Sequence, residues 1–200
     1  GVMTDATADI AWTLLLGVAR HAAEGDRMTR AGEFDGWAPE LLLGRDLVGK
    51  TLAIIGAGRI GAATARRSRG WDMRVLYVSR SRKTELEREL NAEPVELDDA
   101  LRQADFVSLH VPLTDETYHL LDERRLGLMK PTAVLINTAR GPVVDEAALV
   151  RALREGTIAG AGFDVYEAEP RLADGLADCP NTMLLPHLGS ATVDTRATDR

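Results

Sequence analysis

Arg140, Glu169 and His187 each follow a short apolar run with the character of a buried strand. Parallel strands present their carboxyl ends at one edge of a sheet, where open α/β sheets bind ligands, so we expect these side chains to face one ligand. A guanidinium, a carboxylate and an imidazole can together assist the reduction of a 2-oxo acid. Arg140 would hold the substrate carboxylate, His187 would protonate the developing alkoxide, and Glu169 would be the negative partner that keeps this donor protonated.

A glycine-rich stretch, Gly56-Ala57-Gly58-Arg59-Ile60-Gly61, supplies the phosphate-binding chemistry that a dinucleotide needs. It stands between an apolar run and a helical pattern, where the first glycine permits a tight turn and the second lets the backbone approach a pyrophosphate. The third glycine allows close packing of the helix on the strand, and free N–H groups at the helix start attract the anion. We therefore predict a cofactor site that includes Gly56, Gly58, Arg59, Ile60 and Gly61.

The end of the second predicted strand indicates which dinucleotide is preferred. NAD-binding proteins normally carry Asp or Glu there, about 20 residues after the glycines, to accept from the ribose 2′-OH. This chain has Ser79, followed by a basic run at 80–83, and residues 59–83 hold eight basic residues and one acid. A guanidinium can bind a 2′-phosphate through two hydrogen bonds. We predict that Ser79, Arg80 and Arg82 contact NADP(H), the preferred cofactor, with NAD(H) as the alternative.

Alternating strand-like and helix-like segments must position these residues. Six short apolar runs have the composition of buried strands, and the stretches between most of them have helical spacing. Buried parallel strands that alternate with helices indicate a doubly wound α/β sheet of the Rossmann type. We predict strands at 51–56, 74–78, 106–111, 133–138, 160–165 and 182–185. We predict helices at 59–69, 84–90, 97–103, 123–129 and 146–154.

A long apolar helix and an irregular arm precede the first strand. The pattern predicts a helix from residue 4 or 5 to about residue 24, buried on most sides, and then an arm over residues 25–43. Trp37 in this arm either packs against its own domain or contacts another subunit. We expect three regions: the helix and arm (1–46), a dinucleotide-binding domain (47–190) and the start of a truncated C-terminal helix (191–200).

The composition argues against several classes of protein. The chain has 200 residues, of which 45% are hydrophobic and 28% charged, enough for a core without disulfides. Its single cysteine, Cys179, is typical of a reducing compartment, so we expect a cytoplasmic protein without a bound metal. A net charge of −7 argues against a nucleic-acid partner. No apolar run approaches the roughly 20 residues that cross a bilayer, no signal peptide is visible, and we interpret both ends as cut edges.

Three segments of the second half resemble the D-isomer-specific 2-hydroxyacid dehydrogenases. They are residues 137–141 (NTARG), residues 162–170 (GFDVYEAEP) and residues 185–190 (LPHLGS), in the family's order. Within that family, residues 76–83, residues 110–114 and the first helix most resemble the glyoxylate and hydroxypyruvate reductases. Together with the glycine-rich stretch, the resemblance covers essentially the whole chain.

The resemblance implies a role for each matching residue. Arg140 would bind the substrate's carboxylate and carbonyl oxygen, His187 would be the acid/base, and Glu169 would hydrogen-bond to His187. The helix and arm, residues 4–43, would form a homodimer interface. Six further residues would line the cofactor, the last two near the nicotinamide amide: Val111, Pro112, Thr138, Ala139, Asp164 and Gly189.

The resemblance also implies an activity. We expect hydride transfer from NADPH to glyoxylate or hydroxypyruvate; the alternatives are a relative acting on phosphoglycerate, D-lactate or formate, or a non-catalytic NAD(P)-sensing protein like the corepressors of this superfamily. Family members also carry a separate substrate domain, built largely from residues before the first helix. With 50 residues before Thr51, we expect this chain to bind cofactor but to reduce substrate poorly by itself.

Overall fold

The computed structural model, which describes residues 2–198, contains one seven-stranded parallel sheet. The strands lie in the order β3-β2-β1-β4-β5-β6-β7. The order reverses between β1 and β4, which gives the doubly wound topology and its crevice at the carboxyl ends of these strands. This confirms the predicted fold class. The strands are β1 (Thr51–Ile55), β2 (Arg74–Val78), β3 (Glu93–Pro94), β4 (Phe106–Leu109), β5 (Val134–Asn137), β6 (Gly160–Phe163) and β7 (Thr182–Leu184).

Helices cover both faces of the sheet. They are α1 (Val2–Ala19), α2 (Ala22–Arg30), α3 (Arg59–Arg67), α4 (Thr84–Leu90), α5 (Leu97–Gln103), α6 (Glu123–Leu126), α7 (Glu146–Glu155) and α8 (Val193–Thr198). Within residues 2–198, no helix combines the length and the apolar composition needed to cross a bilayer.

The core forms two apolar layers because side chains alternate along each buried strand. In β1, Leu52 and Ile54 pack with α1 and α3, whereas Ala53 and Ile55 pack on the opposite face. All four are at most 1% exposed. Burial on both faces explains why each strand is a continuous apolar run in the sequence.

Helix α1 belongs to one of these layers. Trp12 stacks on Trp71 with ring centroids 4.6 Å apart, and its Nε1 donates to the carbonyl oxygen of Thr64 at 2.9 Å. Leu14 and Leu15 are buried in the same cluster as the sheet residues. The described part of the predicted N-terminal region, residues 2–46, therefore does not form a separate core, and its role in dimerisation stays a prediction.

The largest departure from the predicted elements lies before β1. The first helix ends at Ala19, not near residue 24, because His21 adopts a left-handed φ of 54°. A second helix, α2, then takes the first part of the predicted arm. Trp37 is 86% exposed, so the alternative that it packs against its own domain is wrong.

Smaller differences concern the ends of elements. The predicted helix at 59–69 ends at Arg67 and continues as a 3₁₀ turn, Ser68–Trp71, and the predicted helix at 123–129 ends at Leu126. Strand β2 has the predicted bounds, and the other predicted strands end one or two residues early. Strand β3 was not predicted. Helix α8 lies in the region predicted to begin a C-terminal helix, whose residues 199–200 fall outside the described residues.

Candidate functional site

The glycine-rich turn joins β1 to α3 in a conformation that requires glycine. Gly56 has a φ of 93°, and a Cβ on it would lie 2.7 Å from the carbonyl oxygen of His110. A Cβ on Gly61 would collide with the carbonyl oxygen of Gly56, so its absence lets α3 lie close to the turn. Gly58 is the N-cap of α3, without a side-chain cap, and no atom lies within 4 Å of its Cβ position. The helix start is therefore open to an anion.

A groove of about 580 Å³ lies beside this turn. The side-chain oxygen of Thr138 is buried there without a hydrogen-bond partner among residues 2–198, as expected of a group that meets a ligand. An open helix start and an unused hydroxyl in one groove fit a bound dinucleotide. Eight predicted site residues line the groove together with His110 and Leu113: Gly58, Arg59, Ile60, Val111, Pro112, Thr138, Ala139 and Arg140.

The turn after β5 holds Arg140 at the edge of this groove. Asn137 is fully buried; its Oδ1 accepts the N–H of Ala139, and its Nδ2 donates to the carbonyl oxygen of Arg140, both at 3.0 Å. Gly141 packs so tightly on the backbone of Tyr166 that no side chain would fit. The backbone of Arg140 is thus fixed from both sides while its guanidinium stays exposed.

His187 and Glu169 form the predicted pair. His187 Nδ1 lies 3.0 Å from Glu169 Oε2, and Glu169 Oε1 accepts the N–H of Tyr166 at 3.0 Å. Burial raises the pKa of Glu169, but the hydrogen bonds from His187 and Tyr166 outweigh burial and leave the pKa below its usual value. The charge of Arg140 also lowers this pKa, so Arg140 lies close enough to the pair to act on Glu169 electrostatically.

Asp164 fixes the backbone of the loop that carries His187 through two hydrogen bonds. Asp164 is 1% exposed, and its carboxylate accepts the N–H groups of Leu188 at 2.7 Å and Gly189 at 2.8 Å. Burial raises the pKa of Asp164, against the effect of these two hydrogen bonds. His187 itself has a left-handed φ of 59°, a conformation that its neighbours must enforce. Asp164 therefore positions His187, and its direct contact with a cofactor stays a prediction.

An apolar pocket of about 340 Å³ lies beside His187. Tyr166 also lines this pocket, and its hydroxyl donates to the carbonyl oxygen of Leu185 at 2.7 Å. His187 and Glu169 line this pocket, whereas Arg140 lines the cofactor groove. The three predicted catalytic side chains thus line two different cavities, one beside the glycine turn and one largely apolar.

The residues predicted to contact a 2′-phosphate lie after β2, outside the residues that line the groove. Ser79 and Arg80 are exposed. The guanidinium of Arg82 is already held on one side, because its Nε donates to both oxygens of Glu87 at 2.9 and 3.0 Å. Of the two predicted arginines, Arg80 is therefore the better placed to bind an anion.

One further group of titratable side chains, His119, Asp145 and Glu167, has the donor types of a metal site and lies within 4.8 Å. Glu167 accepts from His119 Nε2 at 3.1 Å and from the N–H of Glu146 at 2.8 Å, and Asp145 caps α7. These contacts occupy the side chains with one another, so the cluster needs no ion to be stable.

Sequence reasoning assigned no role to Asn137, Gly141 or Tyr166. All three lie within the segments that carry the family resemblance. Asn137 ends an apolar run and is fully buried, and a buried polar side chain at a strand end indicates hydrogen bonds to the backbone of the following turn. Their function is to fix the backbone on which Arg140, Glu169 and His187 stand.

Comparisons with known proteins identify the family and agree with the fold. The family model described as "D-isomer specific 2-hydroxyacid dehydrogenase, NAD binding domain" matches residues 12–189. A glyoxylate reductase of Pyrococcus horikoshii is 58% identical over 199 residues, which are 98% of this chain and 60% of that protein.

Two solved structures are also similar. A glyoxylate reductase from Paecilomyes thermophila has a TM-score of 0.90 at 43% identity, over 98% of this chain and 59% of that one. An NADPH-dependent glyoxylate/hydroxypyruvate reductase from Sinorhizobium meliloti, in complex with NADP and malonate, has a TM-score of 0.89 at 38% identity, over 98% of this chain and 60% of that one. The chain spans about 60% of the length of the curated relatives it matches.

Proposed function

The chain belongs to the D-isomer-specific 2-hydroxyacid dehydrogenases, as their NAD-binding domain, and from that premise we propose that the whole protein reduces glyoxylate or hydroxypyruvate to the 2-hydroxy acid. The observation that carries this proposal is the 3.0 Å contact between His187 and Glu169, at the strand ends where Arg140 also lies. A carboxylate-bound imidazole beside a guanidinium suits a substrate that carries both a carboxylate and a carbonyl.

The residues of this chain would divide the reaction between them. A bound reduced nicotinamide would supply a hydride to the carbonyl carbon. Glu169 occupies His187 Nδ1, which leaves Nε2 as the nitrogen that gives a proton to the carbonyl oxygen. Arg140 would pair with the substrate carboxylate and stabilise negative charge on that oxygen. One hydride and one proton convert the 2-oxo acid to its 2-hydroxy acid.

The proposal includes a preference for NADP(H) over NAD(H). It rests on Ser79, which stands where an acid would bind the ribose 2′-OH, and on Arg80, which is exposed beside it. The similar Sinorhizobium meliloti reductase is described as NADPH-dependent. In the whole protein, Arg80→Glu should raise the KM for NADPH far more than the KM for NADH. Equal effects on the two would refute the preference.

We also propose that the protein is a homodimer through residues 4–43. Helix α2 has no buried residue within this chain. Phe34 is 52% exposed, Trp37 86% and Leu43 67%, a concentration of exposed apolar side chains that monomeric proteins rarely carry.

The buried, single Cys179 is consistent with the cytoplasmic location that we expect.

The experiment that tests the proposed activity is a substrate panel. The whole protein is mixed with NADPH or NADH and with glyoxylate, hydroxypyruvate, pyruvate or phenylpyruvate, and loss of cofactor absorbance is followed. We expect the highest kcat/KM with glyoxylate or hydroxypyruvate and NADPH. Cofactor binding without turnover of any of the four would overturn the proposal.

A further inference from the structure

We propose that Glu116, in the loop after β4, sets how strongly the site distinguishes NADP(H) from NAD(H), by competing with the 2′-phosphate for Arg80. Arg80 Nη2 lies 3.3 Å from Glu116 Oε2. The inference rests on the proposed function, in which Arg80 binds this phosphate.

The two side chains come from loops on either side of the glycine turn. Strand β1 lies between β2 and β4 in the sheet, and Arg80 follows β2 while Glu116 follows β4. The ion pair therefore spans the carboxyl end of β1, where a dinucleotide that uses Gly58 would place its adenosine half. A cofactor that binds there would find Arg80 already paired with Glu116.

Arg80 is the arginine of the basic run whose partner can be exchanged. Arg82 is bound through Nε to both carboxylate oxygens of Glu87, and Glu87 also accepts the hydroxyl of Tyr77 at 2.7 Å. The hydrogen bonds from Arg82 and Tyr77 hold the pKa of Glu87 below its usual value. By contrast, the side chains of Arg80 and Glu116 are 83% and 81% exposed and share a single contact of 3.3 Å.

Glu116 is held near Arg80 by its own turn. The hydroxyl of Thr117 accepts the N–H of Thr114 at 2.8 Å and donates to the carbonyl oxygen of Pro112 at 2.6 Å, and the N–H of Tyr118 donates to Thr114 at 2.9 Å. These bonds fix the backbone from which Glu116 projects, so its carboxylate remains within reach of Arg80 when a ligand binds. A 2′-phosphate at Arg80 would have to displace this carboxylate and then lie beside a like charge.

The charge at Glu116 would therefore limit the preference for NADP(H) over NAD(H). An exposed ion pair is weak, so Glu116 does not block Arg80 but reduces the gain from binding a phosphate. An uncharged ribose 2′-OH does not form an ion pair with Arg80 and therefore does not compete with Glu116 for it. Removal of the negative charge at Glu116 should therefore strengthen the binding of a ligand that carries a 2′-phosphate. It should leave the affinity for a ligand with a free ribose 2′-OH nearly unchanged.

The test measures binding to the whole protein by calorimetry with two probes, 2′,5′-ADP and 5′-ADP, which differ in the 2′-phosphate. We expect Glu116→Gln to lower the Kd of 2′,5′-ADP by about two- to fivefold, the range expected for an exposed charge pair. The Kd of 5′-ADP should stay nearly unchanged, and the gain should shrink in high salt. The ratio of the KM values for NADH and NADPH should rise by the same factor.

Two variants make the result specific. Asp115→Asn removes one negative charge from the same exposed turn, where residues 2–198 show no ion pair of Asp115 with Arg80, and it should have a smaller effect than Glu116→Gln. In an Arg80→Ala background, Glu116→Gln should lose its effect, because Glu116 acts through Arg80.

The outcomes separate this inference from the proposed function. One outcome is that Arg80→Ala raises the Kd of 2′,5′-ADP but Glu116→Gln does not change it, or changes it no more than Asp115→Asn does. The role of Glu116 is then refuted, while the preference for NADP(H) stands. If Arg80→Ala leaves the Kd of both probes unchanged, Arg80 does not bind the 2′-phosphate, and the role of Glu116 fails together with the basis for the NADP(H) preference, while the proposed reduction of a 2-oxo acid is unaffected.

Discussion

The buried carboxylate of Asp164 is the most informative single position for the loop that carries His187. Its two oxygens accept the N–H groups of Leu188 and Gly189 at 2.7 and 2.8 Å. In Asp164→Asn one of these N–H groups would face an amide NH₂ instead of an acceptor. A buried donor without an acceptor costs about 1–3 kcal/mol, and the bond that remains loses its charge assistance. Because burial raises the pKa of Asp164, removal of the charge offsets part of this cost.

The expected net loss of stability is about 2–3 kcal/mol, from the lost and weakened hydrogen bonds together. For a chain of this size that lowers Tm by roughly 5–10 °C. In the whole protein, kcat/KM for glyoxylate should fall about a hundredfold, because a shift of about 1 Å in a catalytic group is enough to cause such a loss. Thermal unfolding and steady-state kinetics measure the two effects separately.

A matched control is Asp122→Asn. Asp122 is half-buried and accepts one backbone N–H, that of Arg125 at 2.9 Å, at the start of α6. Asparagine is as good an N-cap as aspartate, so stability and activity should both stay near wild type. If Asp164→Asn loses stability but keeps its wild-type turnover, the reasoning that Asp164 positions His187 is refuted.

Three further predictions follow from the site and from its surroundings. Arg140→Ala should lower kcat/KM for glyoxylate roughly a hundredfold or more and raise KM, since two charge-assisted hydrogen bonds to the substrate are lost; an unchanged KM in steady-state assays would argue against this role. Burial lowers the pKa of His110 to about 4, so the unfolded chain takes up this proton first as pH falls from about 6.5, and the wild type should lose about 3 kcal/mol of stability by pH 4 from this group. Denaturant unfolding of His110→Gln should show a stability that depends less on pH between 6.5 and 4, and an equally steep dependence would contradict the lowered pKa of this half-buried histidine. Trp37→Asp should convert the proposed dimer to monomers in sedimentation equilibrium, because the exposed indole would lie in the interface; a dimer that persists would exclude that interface.

The sheet could be predicted because its strands carry their own signal. Strands buried on both faces, such as β1 and β5, are continuous apolar runs, and helices separate them at regular spacing. Strand β3 has no such signal: Glu93–Pro94 is two exposed residues that become a strand only by pairing with β2. Its existence depends on a neighbour that no local pattern reveals.

The break after α1 is also a tertiary effect. Residues around His21 include alanines with high helix propensity, which favour one continuous helix. In the fold, the returning arm places the N–H of Arg45 2.8 Å from the carbonyl oxygen of Ala19, and the chain turns at His21. The contact joins residues 26 positions apart, so the helix end could not be read from the local sequence.

The candidate site was predictable in its positions but not in its contacts. Arg140 and His187 were found because each follows a strand at the edge where such sheets bind ligands. The basic run gave no sign that Arg82 is held by Glu87, because that pair forms only when the start of α4 turns back toward β2. Charge counted along a sequence does not distinguish a guanidinium held by two hydrogen bonds from one in a single, weaker contact.

The measurement that tests the central claim most directly is the turnover of a His187→Gln variant of the whole protein. Glutamine retains a polar side chain near Glu169 but cannot serve as the acid/base. We predict that kcat/KM for glyoxylate falls by roughly 10²- to 10⁴-fold, while the Kd for NADPH, measured by calorimetry, stays close to wild type. Turnover close to that of the wild type, with the cofactor bound normally, would show that the proton comes from elsewhere and would contradict the account.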